Sequence, residues 1–255
     1  MIFGCCTDIS YYDRLVESGY DSICLSAAKI YGLGDDEVQE YKRIIKDGPL
    51  KALSLNGYYS EKVFLNGPKY SPEIVYQYTD VICRRGSEMG FRYLGIGAPA
   101  ARNVPKEGEY DSYLAQFTGA LRIMCEAASK YRMQILLESV CGMECNFIKT
   151  TREALQIVKR LEIDNLALVY DIYHEYMEKQ PLEVISECSD YIKVVHIAQD
   201  NGGKRYYLDD EHVEEYRQYY AALKNIGYKG ELNIESFVGN PDEEIPKSLK
   251  ILKKL

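Results

Sequence analysis

Eight times along this chain a short apolar run of strand length is followed by a longer amphipathic stretch. The apolar runs fall at residues 2–6, 22–25, 52–55, 93–96, 134–137, 166–170, 192–195 and 231–234. Several are bounded by Gly, Asn or Asp, which end strands in turns. The stretches between them read as helices over residues 8–17, 35–46, 72–89, 110–130, 151–161, 181–188, 212–226 and 242–255. Local punctuation supports the reading. Ser71 stands as N-cap before Pro72 at the first helical position, and Gly90 stops the same helix. Thr150 and Glu153 have the spacing of a capping box. Parallel strands need a crossover between neighbours, so strict strand–helix alternation implies a parallel sheet. Eight units in 255 residues predict an α/β fold, a (β/α)8 barrel forming one domain over 1–255. The competing fold is an open doubly wound sheet, which carries a Gly-rich phosphate turn after its first strand. Here that strand runs into Cys5-Cys6-Thr7-Asp8.

Composition narrows the class of partner. Lys and Arg number 31 and Asp and Glu 39, a formal charge of −8. Wrapping nucleic acid needs a concentrated positive field, so no nucleic-acid partner is expected. No run approaches the ~20 apolar residues of a membrane span, so no membrane partner is expected either. The N-terminal MIFGCCTDIS lacks a basic segment and meets Asp8 early, which argues against a cleaved secretory signal and for a cytoplasmic location. The eight cysteines are irregularly spaced and mostly inside apolar runs, as reduced core thiols would be. Cys141 and Cys145 would need two further soft ligands to hold zinc, and no second cysteine pair has suitable spacing.

Chemistry in such a barrel sits at the C-terminal ends of the strands. The fifth to eighth apolar runs close in Glu138, Asp171, His196 and Glu235. Taken singly, an acidic residue there is often a helix cap and a histidine a hydrogen-bonded structural group. Four in succession point to a shared site. Three carboxylates and one imidazole form a thiolate-free shell that Mn2+, Mg2+, Co2+ or Zn2+ could occupy, with a lean to the harder ions. Open coordination positions would accept two oxygens of a hydroxy-ketone, and the ion would stabilise the charge of an enediolate. Glu138 and Glu235, from opposite sides of the half-ring, could remove a proton beside a carbonyl and return one. His174 follows Asp171 by three residues.

The segments LLES with CGMECNF, YDIYHEYME, VVHIAQD and LNIESF resemble the xylose isomerase-like TIM-barrel superfamily, and within it the sugar phosphate isomerase/epimerase group. That group includes hydroxypyruvate isomerase, inosose dehydratase and ketose 3-epimerases. The likeness runs from about Gly95 to Phe237. Its most specific part is the D-x-x-H pair at Asp171 and His174 followed by His196. The resemblance implies one divalent ion, Mn2+ foremost, held by Glu138, Asp171, His196 and Glu235, with the two glutamates doubling as acid and base. It implies substrate contacts from His174 and from an arginine beyond His196, here Arg205. Glu144 and Asn146 match the group's L-E-P-x-N-x-x-E-T-N pattern, with Ser139, Cys141 and Cys145 in place of its Pro, Asn and Thr. Residues 97–105 resemble its G-S-x-x-x-R-x-V-P loop, which makes Arg102 a candidate to face the substrate. After His196 an extra Gln199 precedes Asp200, and no P-G-x-G turn follows.

The implied function is a metal-dependent isomerase or epimerase of a small sugar or polyol, assembled as a homodimer or tetramer. The same site could serve a lyase, a dehydratase or a C-glycoside-cleaving enzyme, or a sugar-binding accessory subunit without turnover. Asp210-Glu211-His212 resembles the D-x-H pair of endonuclease IV, a trinuclear zinc enzyme of the superfamily. The ends of the third and fourth strands carry no histidine, so His212 is read as the exposed first turn of a helix. Of the 24 tyrosines, Tyr58, Tyr59, Tyr173, Tyr206 and Tyr207 fall in or near the loops expected to surround the site. Sugars often rest on such aromatic faces.

Overall fold

The computed structural model describes residues 1–105 and 110–255. Eight parallel strands close into a barrel: β1 (Ile2–Cys6), β2 (Ser22–Ser26), β3 (Lys51–Asn56), β4 (Tyr93–Ile96), β5 (Gln134–Glu138), β6 (Leu166–Asp171), β7 (Ile192–Ile197) and β10 (Glu231–Ile234). Each strand pairs with its sequence neighbours, and β1 pairs with β10 to close the ring. The (β/α)8 expectation is met at all eight strands. Between β7 and β10 the chain adds a small antiparallel pair, β8 (Gln199–Asp200) and β9 (Arg205–Tyr206). The sequence pattern had left that segment as loop. No helix among the described residues is long and apolar enough to cross a membrane.

The helices begin and end where the local chemistry directs. Ser71 accepts the Ile74 N–H ahead of Pro72–Met89, and Gly90 ends that helix in the left-handed conformation at φ 103°. The capping box at Thr150 and Glu153 is formed. Asp8 caps a short 3-10 turn before Tyr12–Ser18, so the first predicted helix is split in two. Three short helices are additional to those predicted: Ala27–Gly32, Pro99–Arg102 and Ile172–Met177. Each follows a strand on the C-terminal side of the barrel, where it shapes the mouth.

The main apolar core lies between the barrel and its surrounding helices. Inside the barrel, Leu136, Ala167, Val169 and Val194 fill the side of β5–β7. The opposite side is polar. Side chains two apart share a strand face, so Glu231, Asn233 and Glu235 climb one face of β10 from bottom to mouth. At the bottom the Ser54 hydroxyl donates to Glu231 and accepts from Asn233 Nδ2 at 3.1 Å. Burial pushes the Glu231 carboxyl up, and hydrogen bonds from Ser22, Ser54 and Asn233 partly offset this. Asn233 fits because β1 has glycine opposite it. A Cβ at Gly4 would lie 2.0 Å from Asn233 Oδ1 and 2.5 Å from Ser22 Oγ. Overpacking of this kind typically costs ~1–3 kcal/mol. Gly4→Ala should therefore lower the unfolding free energy by about that amount in urea titration, with the denaturant slope unchanged.

Candidate metal centre and active site

Strand register sets the height of each functional group. Asp171 and His196 are direct partners across β6 and β7, and His196 is partnered by Asn233 on β10. Glu235 lies two residues above Asn233 on the same face. Glu138 partners Val169, two residues below Asp171. The four side chains meet at the mouth, all buried, with one ligand atom from each within 4.8 Å of all the others. His196 Nδ1 lies 2.8 Å from Glu138 Oε1, 3.5 Å from Glu235 Oε2 and 4.0 Å from Asp171 Oδ2. Asp171 divides its work. Oδ1 caps Ile172–Met177 by accepting the Tyr173 and His174 N–H groups at 2.8 and 3.3 Å, and Oδ2 faces the cluster. Cap and candidate ligand are the same residue.

Three buried carboxylates so close repel one another, and the compensating charges are visible. The Arg205 guanidinium reaches in from β9 and bridges two of them, with Nη1 2.6 Å from Glu235 Oε2 and Nη2 2.7 Å from Asp171 Oδ2. It lies over the Tyr173 ring, 4.6 Å from its centroid. Burial pushes the Asp171 carboxyl up, but Arg205, His174 and His196 outweigh burial and hold it below the usual range. Burial pushes the His196 imidazole down, yet Glu235 and Glu138 reverse this and carry it up to about 10. Burial leaves the Glu235 carboxyl raised despite Arg205 and His196. A site that holds so much positive charge in place has the electrostatics of a cation site. Its oxygen-rich donor set fits a hard divalent ion.

The cavity beside the cluster has a volume of about 250 Å3, and Glu138, Glu144, His174, Arg205 and Glu235 line it. His174 is buried and neutral: burial, opposed by Asp171, takes its imidazole down to about 3. Its Nδ1 accepts the Cys141 N–H at 3.2 Å, which leaves the ring proton on Nε2. Nε2 stands 2.6 Å from Arg205 Nη2, in direct contact with the guanidinium. At the rim, burial raises the Glu144 carboxyl and Arg205 lowers it. Cys141, Glu144 and His174 form a second compact group of metal-binding residue types. The Arg205 charge beside it disfavours a second cation.

Two of the expected substrate contacts lie elsewhere. Asn146 joins two loops: its Oδ1 accepts the Val104 N–H at 2.8 Å and its Nδ2 donates to the Val104 carbonyl. Arg102 is fully buried with its guanidinium 5.8 Å from the Phe117 ring centroid. Burial lowers its pKa, and its guanidinium nitrogens have no hydrogen-bond partner among the described residues. Neither residue lines the cavity. His212 is remote from the cluster, paired with Asp209 at 2.7 Å where the helix Val213–Asn225 begins. All eight cysteines are free, seven of them buried.

Other contributors were not singled out from sequence. Asn56, at the end of β3, donates from Nδ2 to Glu235 Oε1 and orients that carboxylate. The strand-end rule alone would have found it. Gly97 admits Glu138, since a Cβ there would lie 2.5 Å from Oε2. Glu175, the residue after His174, accepts the Thr151 N–H at 2.9 Å and the Ser139 hydroxyl at 3.2 Å, anchoring a helix start beneath the site. Burial takes its carboxyl up to about 7.

Fold and site together define a (β/α)8 barrel with a buried carboxylate–imidazole centre at its C-terminal mouth. The chain belongs to the xylose isomerase-like TIM barrel family, whose sequence profile matches residues 12–255. It is 30% identical over 125 residues to a ketose 3-epimerase of Arthrobacter globiformis, covering 49% of this chain and 42% of that protein. It is 29% identical over 171 residues to an L-ribulose 3-epimerase of Methylomonas sp. (strain DH-1), covering 65% of this chain and 55% of that one. The chain thus spans about half the length of the curated relatives it matches. Among solved structures, D-allulose 3-epimerase from Methylomonas sp. in complex with D-allulose superposes with a TM-score of 0.83 at 20% identity, over 100% of this chain and 96% of that one. A 3-keto-D-glucoside 4-epimerase from E. coli superposes with a TM-score of 0.82 at 16% identity, over all of both chains. The IOLI protein, solved with a bound zinc atom, gives 0.76 at 19% over 100% and 96%.

Breaking a buried ion pair from one side typically costs ~3–5 kcal/mol. Arg205→Ala should lose about that much stability in chelator-treated protein. Mn2+ should raise its thermal midpoint more than that of the unaltered protein, because the ion supplies the missing charge. Asp171→Asn should suppress the Mn2+ response. Scanning fluorimetry with and without chelator measures all three, and a response that survives Asp171→Asn would place the ion elsewhere.

Proposed function

We propose that this protein is a divalent-metal-dependent sugar epimerase or isomerase that moves a proton at the carbon beside a carbonyl. The observation that carries the reading is the convergence of Glu138, Asp171, His196 and Glu235 within 4.8 Å at the mouth of the barrel. The similarity to ketose and ribulose 3-epimerases supports a ketose as substrate and C3 as the reacting carbon. These four residues would hold the ion, which when bound supplies Lewis-acid polarisation of the carbonyl and of the neighbouring hydroxyl.

The protein's own groups do the rest. Glu138 and Glu235 both line the cavity and reach it from β5 and from the end of β10, so a sugar carbon between them presents one face to each. One carboxylate takes the C3 proton, and the electron pair moves toward the carbonyl oxygen to give an enediolate. The other carboxyl returns a proton to the opposite face, and the carbonyl re-forms. Asn56 and Arg205 hold Glu235 in orientation. His174 and Arg205 both line the cavity, where each can reach a substrate oxygen.

Glu235→Gln should keep the fold and lose ~10²–10⁴-fold in the rate at which a ketose exchanges its C3 proton with deuterium oxide. Mass spectrometry of the sugar measures it. Exchange at the normal rate would remove Glu235 from the chemistry. Exchange accompanied by loss of water rather than by an epimer would select a lyase on the same residues.

A further inference from the structure

Beside the cavity that the metal cluster faces lies a larger one. It is a chamber of about 470 Å3 on the far side of Glu235, against the ends of β1 and β2. The two cavities share Asn56, Gly57, Glu235 and Phe237 as a common wall, so they form one two-chambered site. Gly57 has no side chain to divide them, and Phe237 is 74% exposed at the entrance.

The walls state what the second chamber can hold. Ile9, Leu25, Tyr41, Tyr207 and Phe237 supply apolar and aromatic surface, and Cys6 adds a thiol. Most of its polar groups are already engaged. Asp8 accepts the Ser10 N–H, and Ser26 Oγ accepts the Lys29 N–H. Asn56 donates to Glu235. Lys29 and Asp8 stand 3.8 Å apart, both well exposed, so the one cation is matched by one anion. A phosphate would find no uncompensated positive charge. A second sugar ring would lose water from its hydroxyls with few free partners to replace it, which is costly. An apolar planar group suffers neither penalty. A cavity of ~150 Å3 suffices for benzene, so this chamber has room for a one- or two-ring aromatic.

We propose that the chamber bounded by β1, β2, Tyr207 and Phe237 is a binding subsite for an aryl substituent, and that the substrate is an aryl-substituted sugar rather than a free monosaccharide. The inference rests on the epimerase reading for the sugar half and on the chamber alone for the aryl half. In this arrangement the reacting carbons sit between Glu138 and Glu235, and the substituent leaves past Gly57 into the second chamber. Apolar burial there supplies affinity remote from the reacting carbons, where it orients the ring without touching the chemistry.

The test compares methyl and phenyl glycosides of one sugar by calorimetry on the Mn2+-loaded protein, alongside turnover of a panel of free ketoses. The expected result is that phenyl glycosides bind ~10-fold or more tightly than methyl glycosides. Ile9→Trp and Thr7→Phe, which enlarge half-buried side chains lining the chamber just after β1, should abolish that preference while keeping a cooperative thermal transition. No preference for phenyl, or one that survives both substitutions, overturns the subsite. Ketose turnover without an aryl preference leaves the epimerase reading and removes the subsite. An aryl preference without any ketose turnover or proton exchange supports the subsite and removes the epimerase reading.

Discussion

Everything at the mouth of this barrel answers to one constraint: three carboxylates are buried within a few ångströms of one another. In a region of reduced dielectric their mutual repulsion is far larger than it would be in water. The chain meets that repulsion with two groups placed for it. His196 comes from β7 at the same height as Asp171, and its imidazole is driven toward the charged form. Arg205 comes from the hairpin of β8 and β9, and its planar guanidinium spans Asp171 and Glu235. The hairpin is an addition to the barrel, and its charged contacts to the barrel are the ones Arg205 makes. It continues into the mouth wall, because the Phe237 and Val238 N–H groups donate to the Arg205 carbonyl. Electrostatic demand at the cluster and the shape of the entrance are therefore linked through a single residue.

The sequence disclosed most where geometry is forced. Parallel strands in a closed barrel end at a common mouth, so a polar residue closing an apolar run has one place to go. That is why Glu138, Asp171, His196 and Glu235 could be assigned to one site from spacing alone. Asn56 obeys the same rule, and orienting a carboxylate is a task an amide does well. Loops offer no such guarantee. The motif around Arg102 and Asn146 was located in the right segments, but a motif in a loop does not tell which way a side chain turns. Arg102 turned toward Phe117 and Asn146 toward the Val104 backbone. Gly97 and Gly4 were invisible for a related reason. Their role is to leave room for Glu138 and Asn233, partners distant in sequence.

The interior of the barrel is divided, and the division bears on function. The β5–β7 side is filled by Leu136, Ala167, Val169 and Val194 beneath the cluster, an apolar floor that holds those strand ends at fixed heights. The β10 side carries Glu231, Asn233 and Glu235 in a polar column bonded to Ser54 and Asn56 from β3. Glu235 thus belongs both to the cluster and to this column. Its position is set from below by packing that has no part in the chemistry. In the proposed reaction Glu235 has to be held while its charge changes, and a hydrogen bond from a neutral amide does this with less dependence on charge than an ion pair does.

The ends of β1 and β2 carry no cluster residue, yet they border the larger of the two cavities. Groups that form or break bonds tolerate little displacement, because misplacing a reacting group by an ångström costs rate steeply. Groups that enclose a remote part of a substrate need only match its shape and polarity. The proposed reaction uses residues at the ends of β5, β6, β7 and β10, which leaves β1, β2 and the segment after β9 free to set which molecule is accepted. In this chain those segments contribute thiols, Ile9, Tyr207 and a charge-matched lysine and aspartate. The selectivity written there is for apolar surface, and Glu235 is the wall across which selection and chemistry meet.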